Sequence, residues 1–238
     1  MASRKVVLDR VHDLVYLPPA VARAIDTPVF QRLRGLKQLG VASYVYPGAV
    51  HTRFEHSIGV AHLARTLLHR IAEAQPVVMG PLGGIDRDRD ETVLMLAGLC
   101  HDVGHGPFSH LFEDVVAGNL GVTFDHEAMS QRLTRRMLRG IDGVDDAMID
   151  DVLTVMDGAA ASAAVKSASG DKKCFVSPFD GPRGALADIV SNKRCGVDVD
   201  KLDYFLRDSL SCYGRPTVDA RYARLFNAAR VVQGRPGD

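Results

Sequence analysis

Histidine and aspartate crowd into one short run of this chain, Leu99-Cys100-His101-Asp102-Val103-Gly104-His105-Gly106-Pro107-Phe108-Ser109-His110. Imidazole and carboxylate side by side suit a borderline or hard divalent cation such as Fe, Mn, Zn, Co or Ni. Adjacent residues on a helix point about 100° apart, so His101 and Asp102 reach one ion together only at a helix end, where Gly104 predicts one. In Arg53-Phe54-Glu55-His56 the arginine and the histidine are neighbours on one helical face. A planar, permanently charged guanidinium beside a metal ligand suits phosphate oxygens. Farther along, Asp200, Tyr204 and Arg207 share one helical face and Lys201, Tyr204 and Asp208 an adjacent one, with Leu202, Phe205 and Leu206 as the buried stripe.

Each candidate has a plainer alternative. His56 alone would be a core histidine satisfied by hydrogen bonds, and Asp102 alone would cap a turn through Ser109 or a backbone N–H. Arg53 would pair with Glu55 or Asp102, and the polar face around Asp200 would be solvated. The first two alternatives weaken together, because metal-binding residue types recur on otherwise apolar helix faces, where unpaired polar groups are costly.

The elements that must hold these residues are mostly helical in period. Pro18-Pro19 starts a helix toward Ile25, Thr27-Pro28 interrupts it, and Val29 to Leu36 continues with apolar residues three and four apart. Ser43 to Gly48 reads as a connection with β-type residues and a turn signal. From Arg53 to about Ala74 the core stripe is His56, Val60, Leu63 and Leu67, which puts a histidine on the buried face. A loop at 80–84 and an acidic start lead to a helix from about Glu91 to Val103, ended by Gly104, and the next opens at Pro107. Residues 141–187, rich in Asp turns and in Ala, Ser and Gly, are the least structured in pattern and read as a variable insertion or mobile segment. Helical pattern returns at Asp188 and strongly from Asp198 to Ser209.

A length of 238 residues accommodates one domain with a substantial core. Basic and acidic side chains balance at 29 each, so no whole-protein field favours nucleic acid or a membrane. No apolar run approaches the ~18 residues of a spanning helix and the start has no signal-like apolar stretch, so an intracellular protein is expected, in nucleus or cytoplasm. Cys100, Cys174, Cys195 and Cys212 lack metal or disulfide spacing and read as free thiols, Cys100 within a core-forming apolar run.

An isolated His, then His-Asp, then a distant Asp is the order of the HD superfamily of phosphohydrolases. The flanking segments are more specific: Asp26-Thr27-Pro28, Phe30-Gln31-Arg32-Leu33-Arg34, Lys37-Gln38-Leu39-Gly40, Arg53-Phe54-Glu55-His56-Ser57, Gly98 to His110, His126-Glu127, Val190-Ser191-Asn192-Lys193-Arg194 and Asp198-Val199-Asp200-Lys201. From about Lys5 to Val231 the chain resembles the dNTP triphosphohydrolases that in animals carry a sterile-alpha-motif domain before the HD domain.

The resemblance implies an all-α HD-domain helical bundle with a buried metal site, residues 1–238 forming a single domain with the insertion at about 141–187. It implies His56, His101, Asp102 and Asp200 as ligands of a divalent metal, Fe, Mn, Zn or Mg. The reaction implied is hydrolysis of a dNTP to deoxynucleoside and inorganic triphosphate, water attacking the α-phosphorus. His110 would be the acid that protonates the 5′-oxygen, oriented by Glu113 where the family has aspartate. His105 would contact the α-phosphate, and His126, paired with Glu127, would line the site; simple surface exposure is the alternative for His126. Arg53 and Lys201 would hold the triphosphate, Tyr204 and Asp208 would lie near the sugar, and Gln38 and Leu39 would crowd the ribose, with core packing the alternative for Leu39. Lys5, Val6, Asp26, Gln31 and Arg34 match the residues that recognise an activating guanine nucleotide, GTP or dGTP, between subunits. The alternatives there are a turn cap for Asp26 and a surface pair for Arg34.

Family members continue through a further helical lobe that completes the nucleotide pocket and the oligomer interface, and this chain does not contain it. A homo-oligomer is therefore expected where that lobe is present. The other functions compatible with the motif are hydrolysis of a different nucleotide, monophosphate or cyclic, and nucleotide or nucleic-acid binding by a regulator whose metal is structural.

Overall fold

A computed structural model describes residues 5–80, 84–158, 165–166, 173–174, 179, 181–217 and 222–232. It opens on an unanticipated hairpin in which β1 (Lys5–Asp9) pairs antiparallel with β2 (Asp13–Leu17), Lys5 opposite Leu17 and Asp9 opposite Asp13. Asp9 Oδ1 builds the turn by accepting from the backbone N–H of Val11 (2.8 Å) and His12 (2.9 Å). Alternation puts Val15 and Leu17 in the core and leaves Val6, Leu8, Leu14 and Tyr16 exposed. A second ladder joins β3 (Val165–Lys166) to β4 (Lys173–Cys174). The rest of the body is helical, as expected.

Helix α1 (Pro19–Ile25) starts on proline, and α2 (Pro28–Gln31) is capped by Thr27 Oγ1, which accepts from the Phe30 N–H at 3.3 Å. A 3-10 turn over Arg32–Gly35 continues it, and another spans Gly40–Tyr44 in the expected connection. The long helix α3 (Arg53–Ala74) has the expected bounds. Its capping box closes with the Thr52 N–H donating to Glu55 Oε1 at 3.1 Å. Its buried face is wider than a single stripe: Ile58, Leu63 and Leu68 are sealed, while Leu67 is half-buried.

Helix α4 (Arg87–Cys100) begins earlier than expected because Asp86 caps it, accepting from the N–H groups of Asp88 and Arg89, each at 3.1 Å. It also ends earlier, at Cys100, so Gly104 is not its cap. Gly104 serves a close approach instead. A Cβ there would strike the backbone of His126, Met129 and Ser130, and the Gly104 N–H donates to Ser130 Oγ at 2.8 Å. No helix opens at Pro107 either. Phe108 and Ser109 adopt left-handed φ values of 68° and 57°, and the following helical segment passes into a wide π-turn over Phe112–Ala117. Ser109 is drawn into that conformation by distant partners: its Oγ lies 3.2 and 3.1 Å from the carbonyl oxygens of Lys37 and Gln38.

Helices α5 (His126–Leu138) and α6 (Asp146–Asp157) follow. The expectation of weak structure over 141–187 fails for α6, which Asp145 caps and whose Met148, Ile149, Val152, Leu153 and Val155 join the core. The Ala-rich stretch 159–164 and residues 167–172 lie outside the described residues. Helices α7 (Ala187–Val190), α8 (Val199–Tyr213) and α9 (Tyr222–Ala228) follow among the described residues. The α3–α4 pair is the spine, with α8 packed on α3 and α6 on α4. On α8 the expected stripe is corrected. Leu206 is buried, Phe205 is exposed, and the polar Asp203 and Arg207 are sealed in. Among the described residues no helix is long and apolar enough to cross a membrane.

Candidate metal centre

Three elements deliver the four expected ligands to one point. His56 comes from the first turn of α3, His101 and Asp102 from the residues after α4, and Asp200 from the first turn of α8. His56 Nε2 is 3.0 Å from Asp200 Oδ1 and 3.8 Å from Asp102 Oδ2, and His101 Nε2 is 3.3 Å from Asp200 Oδ1 and 3.5 Å from Asp102 Oδ1. Ligand atoms held by one ion at about 2.1 Å stand roughly 3–3.5 Å apart; three of these spacings fall in that range and the one between His56 and Asp102 is longer. His56, His101 and Asp102 form a group able to share a metal ion.

The opposite ring nitrogens are already committed. His56 Nδ1 bonds Asp203 Oδ2 and His101 Nδ1 bonds the Gly98 carbonyl, each at 2.8 Å. Both contacts fix the tautomer that aims Nε2 at the ion. The two Nε2 atoms are buried and lack a hydrogen bond. Burial alone would lower His56, but the facing carboxylates of Asp200 and Asp203 override it and lift the imidazole to about 10. Asp102 and Asp200 are held below the usual carboxylate range against the effect of burial, chiefly by the facing histidines, with Arg53 adding to the effect on Asp102. A cluster that pulls protons onto its imidazoles is one that lacks positive charge, which a divalent cation supplies.

Behind His56 lies a buried network that pattern alone did not disclose. Asp203 also bonds His12 Nε2 (2.6 Å) and accepts from Arg207 Nε (2.8 Å) and Nη2 (3.0 Å), and Arg207 Nη1 reaches Asp9 Oδ2 at 2.9 Å. Arg207, expected on the outward polar face with Tyr204, is fully buried. Its ion pairs with Asp9, Asp203 and, at 3.5 Å, Glu55 make that burial tolerable. The i,i+4 spacing of Asp203 and Arg207 was visible but no stronger a signal than any surface pair.

The other expected histidines gather beside the metal point. Ring centroids of His105 and His126 are 4.0 Å apart, those of His105 and His110 5.2 Å, and those of His110 and His126 5.4 Å. Glu113 bonds His126 twice, at Nδ1 (2.8 Å) and at the backbone N–H (2.7 Å), and stands 3.6 Å from His110 Nδ1. The expected pairing of His126 with Glu127 is therefore corrected. Glu127 faces Lys193 at 3.5 Å. Burial pushes His105 down to about 3, helped by Arg53 and the neighbouring histidines against the pull of Asp102. His105 is thus neutral at ordinary pH, with neither ring nitrogen hydrogen-bonded. A cleft of about 210 Å³ opens here, with His101, Asp102, Asp200, Lys201, His126 and Lys193 in its walls.

Of the expected substrate contacts, Lys201 lines this cleft, its Nζ 3.8 Å from Asp198. Arg53 is sealed, paired with Asp102 and donating to Ser109 Oγ at 3.1 Å. This is the interhelix pair foreseen as the alternative for it. Tyr204 packs on Phe205 with centroids 4.9 Å apart, and burial pushes its phenol up. Asp208 bonds the buried His51 Nε2 at 2.7 Å, a partner the motif did not single out. Gln38 and Leu39 are half-buried, and Gln38 Oε1 has no partner. The nucleotide-matching residues form one surface: Lys5 pairs with Asp26, Gln31 Nε2 donates to the Ile25 carbonyl (2.8 Å), and Arg34 Nε donates to Gln31 Oε1 (2.7 Å). Val6 is exposed beside them, and the Arg34 guanidinium covers the Phe54 ring at 3.6 Å.

The HD domain family model matches residues 53–171, which span the expected ligands His56, His101 and Asp102. Over 244 residues the chain is 38% identical to the deoxynucleoside triphosphate triphosphohydrolase SAMHD1 of Xenopus laevis, covering 96% of this chain and 37% of that protein. Identity to the human protein of the same name is 37% over 247 residues, covering 97% and 37% respectively. To the Dictyostelium discoideum homologue it is 39% over 232 residues, covering 97% and 40%. The chain spans less than half the length of these curated relatives.

Proposed function

The chain belongs to the HD-domain family, and on that premise we propose that it is a metal-dependent phosphohydrolase that splits deoxynucleoside triphosphates into deoxynucleoside and inorganic triphosphate. The observation that carries the reading is the convergence of two imidazole Nε2 atoms and two carboxylates beside a cleft that also holds His126 and Lys201. The likeness to SAMHD1 proteins over nearly all of this chain supports the choice of substrate.

His56, His101, Asp102 and Asp200 would hold the metal, which when bound lowers the pKa of a water and polarises a phosphoryl oxygen. Fe, Mn, Zn and Mg all suit the donor set in whole or part. His105, neutral and without a hydrogen bond, is free to donate to an α-phosphate oxygen. Water adds to the α-phosphorus, the bond to the 5′-oxygen breaks, and His110 delivers the proton that oxygen needs. Glu113 steadies this pair chiefly by anchoring His126, against which His110 sits. Lys201 offers charge to the leaving triphosphate, while Arg53, locked behind Asp102, stabilises the same charge from within. Tyr204 and Asp208 would face the sugar, and Gln38 and Leu39 would restrict its 2′ side. Lys5, Val6, Asp26, Gln31 and Arg34 would take GTP or dGTP as activator in an oligomer.

The test is product identity. Purified protein with Mn²⁺ and each dNTP, with and without GTP, is expected to release inorganic triphosphate; release of orthophosphate or pyrophosphate overturns the substrate assignment. One observation favours a second reading, a smaller nucleotide as substrate. The cleft, at about 210 Å³, is below the ~300 Å³ at which ligand pockets usually begin. Orthophosphate release from a nucleoside monophosphate is the result that would establish it.

A further inference from the structure

The hairpin turn and the metal point are joined by an unbroken chain of short buried contacts. Asp203 is fully buried and takes the Arg207 guanidinium on both oxygens, Nε at 2.8 Å and Nη2 at 3.0 Å, as an ionised carboxylate does. An ionised carboxylate is an acceptor only, so His12 Nε2 and His56 Nδ1 must both carry their protons toward it. With the two Arg207 contacts, that gives Asp203 four donors, which fills its lone pairs. With that proton on Nδ1, Nε2 is the ring nitrogen left to face the metal point.

Two further features mark this arrangement as built rather than incidental. A Cβ on residue 59 would overlap Asp203 Oδ1 and the Arg207 guanidinium, so Gly59 supplies the space in α3 that the carboxylate occupies. The acceptor is also shared evenly: His12 Nε2 and Arg207 Nη2 meet at Asp203 Oδ1, and His56 Nδ1 and Arg207 Nε meet at Oδ2.

From this we infer that His12, at the tip of the β-hairpin, is a positioning residue for the metal centre, acting through Asp203 to hold His56 in its ligating tautomer and orientation. The inference rests on the metal reading proposed above. It ties the hairpin, whose β1 strand carries Lys5 and Val6, to the ligand set of the site. His12 touches neither metal nor cleft. Its side chain is sealed among His62, Tyr222 and Asp203, with ring centroids 5.3 Å from His62 and 6.2 Å from Tyr222.

The experiment is a Mn²⁺ titration of the metal-stripped full chain, with free Mn²⁺ read by its EPR signal and the thermal midpoint of each metal-free protein recorded beside it. Substitutions of such supporting residues cost ~10–100-fold in metal affinity. Asp203→Asn is expected at the upper end of that range and His12→Leu at about tenfold. His12→Gln, whose amide N–H can replace Nε2–H, is expected to recover most of the loss. A packing role alone would make affinity follow the thermal midpoint; a positioning role makes it follow the ability to donate to Asp203. Should His12→Leu not fold, His12→Asn, too short to reach Asp203, takes its place. Wild-type uptake with unchanged affinity in the non-donating variant, or equal loss in His12→Gln, overturns the positioning role alone. A folded wild type that takes up no Mn²⁺ overturns the metal reading and the positioning role with it.

Discussion

The metal point and the histidine cleft stand side by side on the same turn, yet they are built by opposite means. Around His56 and His101 the atoms turned away from the metal point are tied down: Nδ1 of each ring, both oxygens of Asp203, and the guanidinium of Arg207. Around His105, His110 and His126 the groups are freer. Neither nitrogen of His105 is hydrogen-bonded, the His110 side chain is 69% exposed, and one carboxylate, Glu113, serves two rings. The first region is organised before any substrate arrives. The second has its hydrogen bonds still to make, which is where contacts formed in the transition state belong.

Substitutions should separate the two. The largest effect is expected from Arg207→Met, which leaves Asp9 and Asp203 buried without their cation; such losses cost about 3–5 kcal/mol. A denaturant titration checks this, and a change under about 1 kcal/mol would contradict the view of this side as an interlocked unit. Next is His110→Gln on the open side, for which a drop of ~10²–10⁴ in turnover with nearly unchanged stability is expected. Comparable losses of folding and turnover there would erase the contrast.

Proton linkage sharpens it further. In the metal-free chain, metal must displace a proton from His56, raised to about 10, so apparent Mn²⁺ affinity should rise about tenfold per pH unit per proton displaced below that value. His105 has the reverse sign. Its folded pKa of about 3 lies below the unfolded value, so the unfolded chain binds the extra proton and stability falls as pH drops from about 6.5 toward 3. His105→Gln should flatten that slope in melting curves taken across the interval. This is the smallest of the expected effects, and an unchanged slope would place His105 in solvent contact.

The neighbourhood of His56, His101 and Asp102 and the bounds of α3 were legible because both depend on local signals: a His-Asp pair near a helix end, and a long run of helical period with its capping box. What stayed hidden depends on distance along the chain. Asp9, His12 and Gly59 meet Asp203 and Arg207 across as many as 198 positions, and on α8 the inward polar pair displaced the expected apolar stripe because its charges satisfy one another. The failure at Pro107 has the same origin, since Ser109 obeys carbonyls of the Lys37-Gln38 segment rather than its own helix propensity. Likewise α6 was masked by the acid-rich composition around it, although its apolar positions recur at helical spacing.

His56 is gripped at both ends by a single neighbouring helix. Asp200 stands 3.0 Å from one ring nitrogen and Asp203 2.8 Å from the other, one turn apart on α8. The imidazole thereby gauges the gap between α3 and α8. Any displacement that pries those helices apart must stretch one grip or the other, so the proposed hold on a metal would depend on how tightly the two helices are seated.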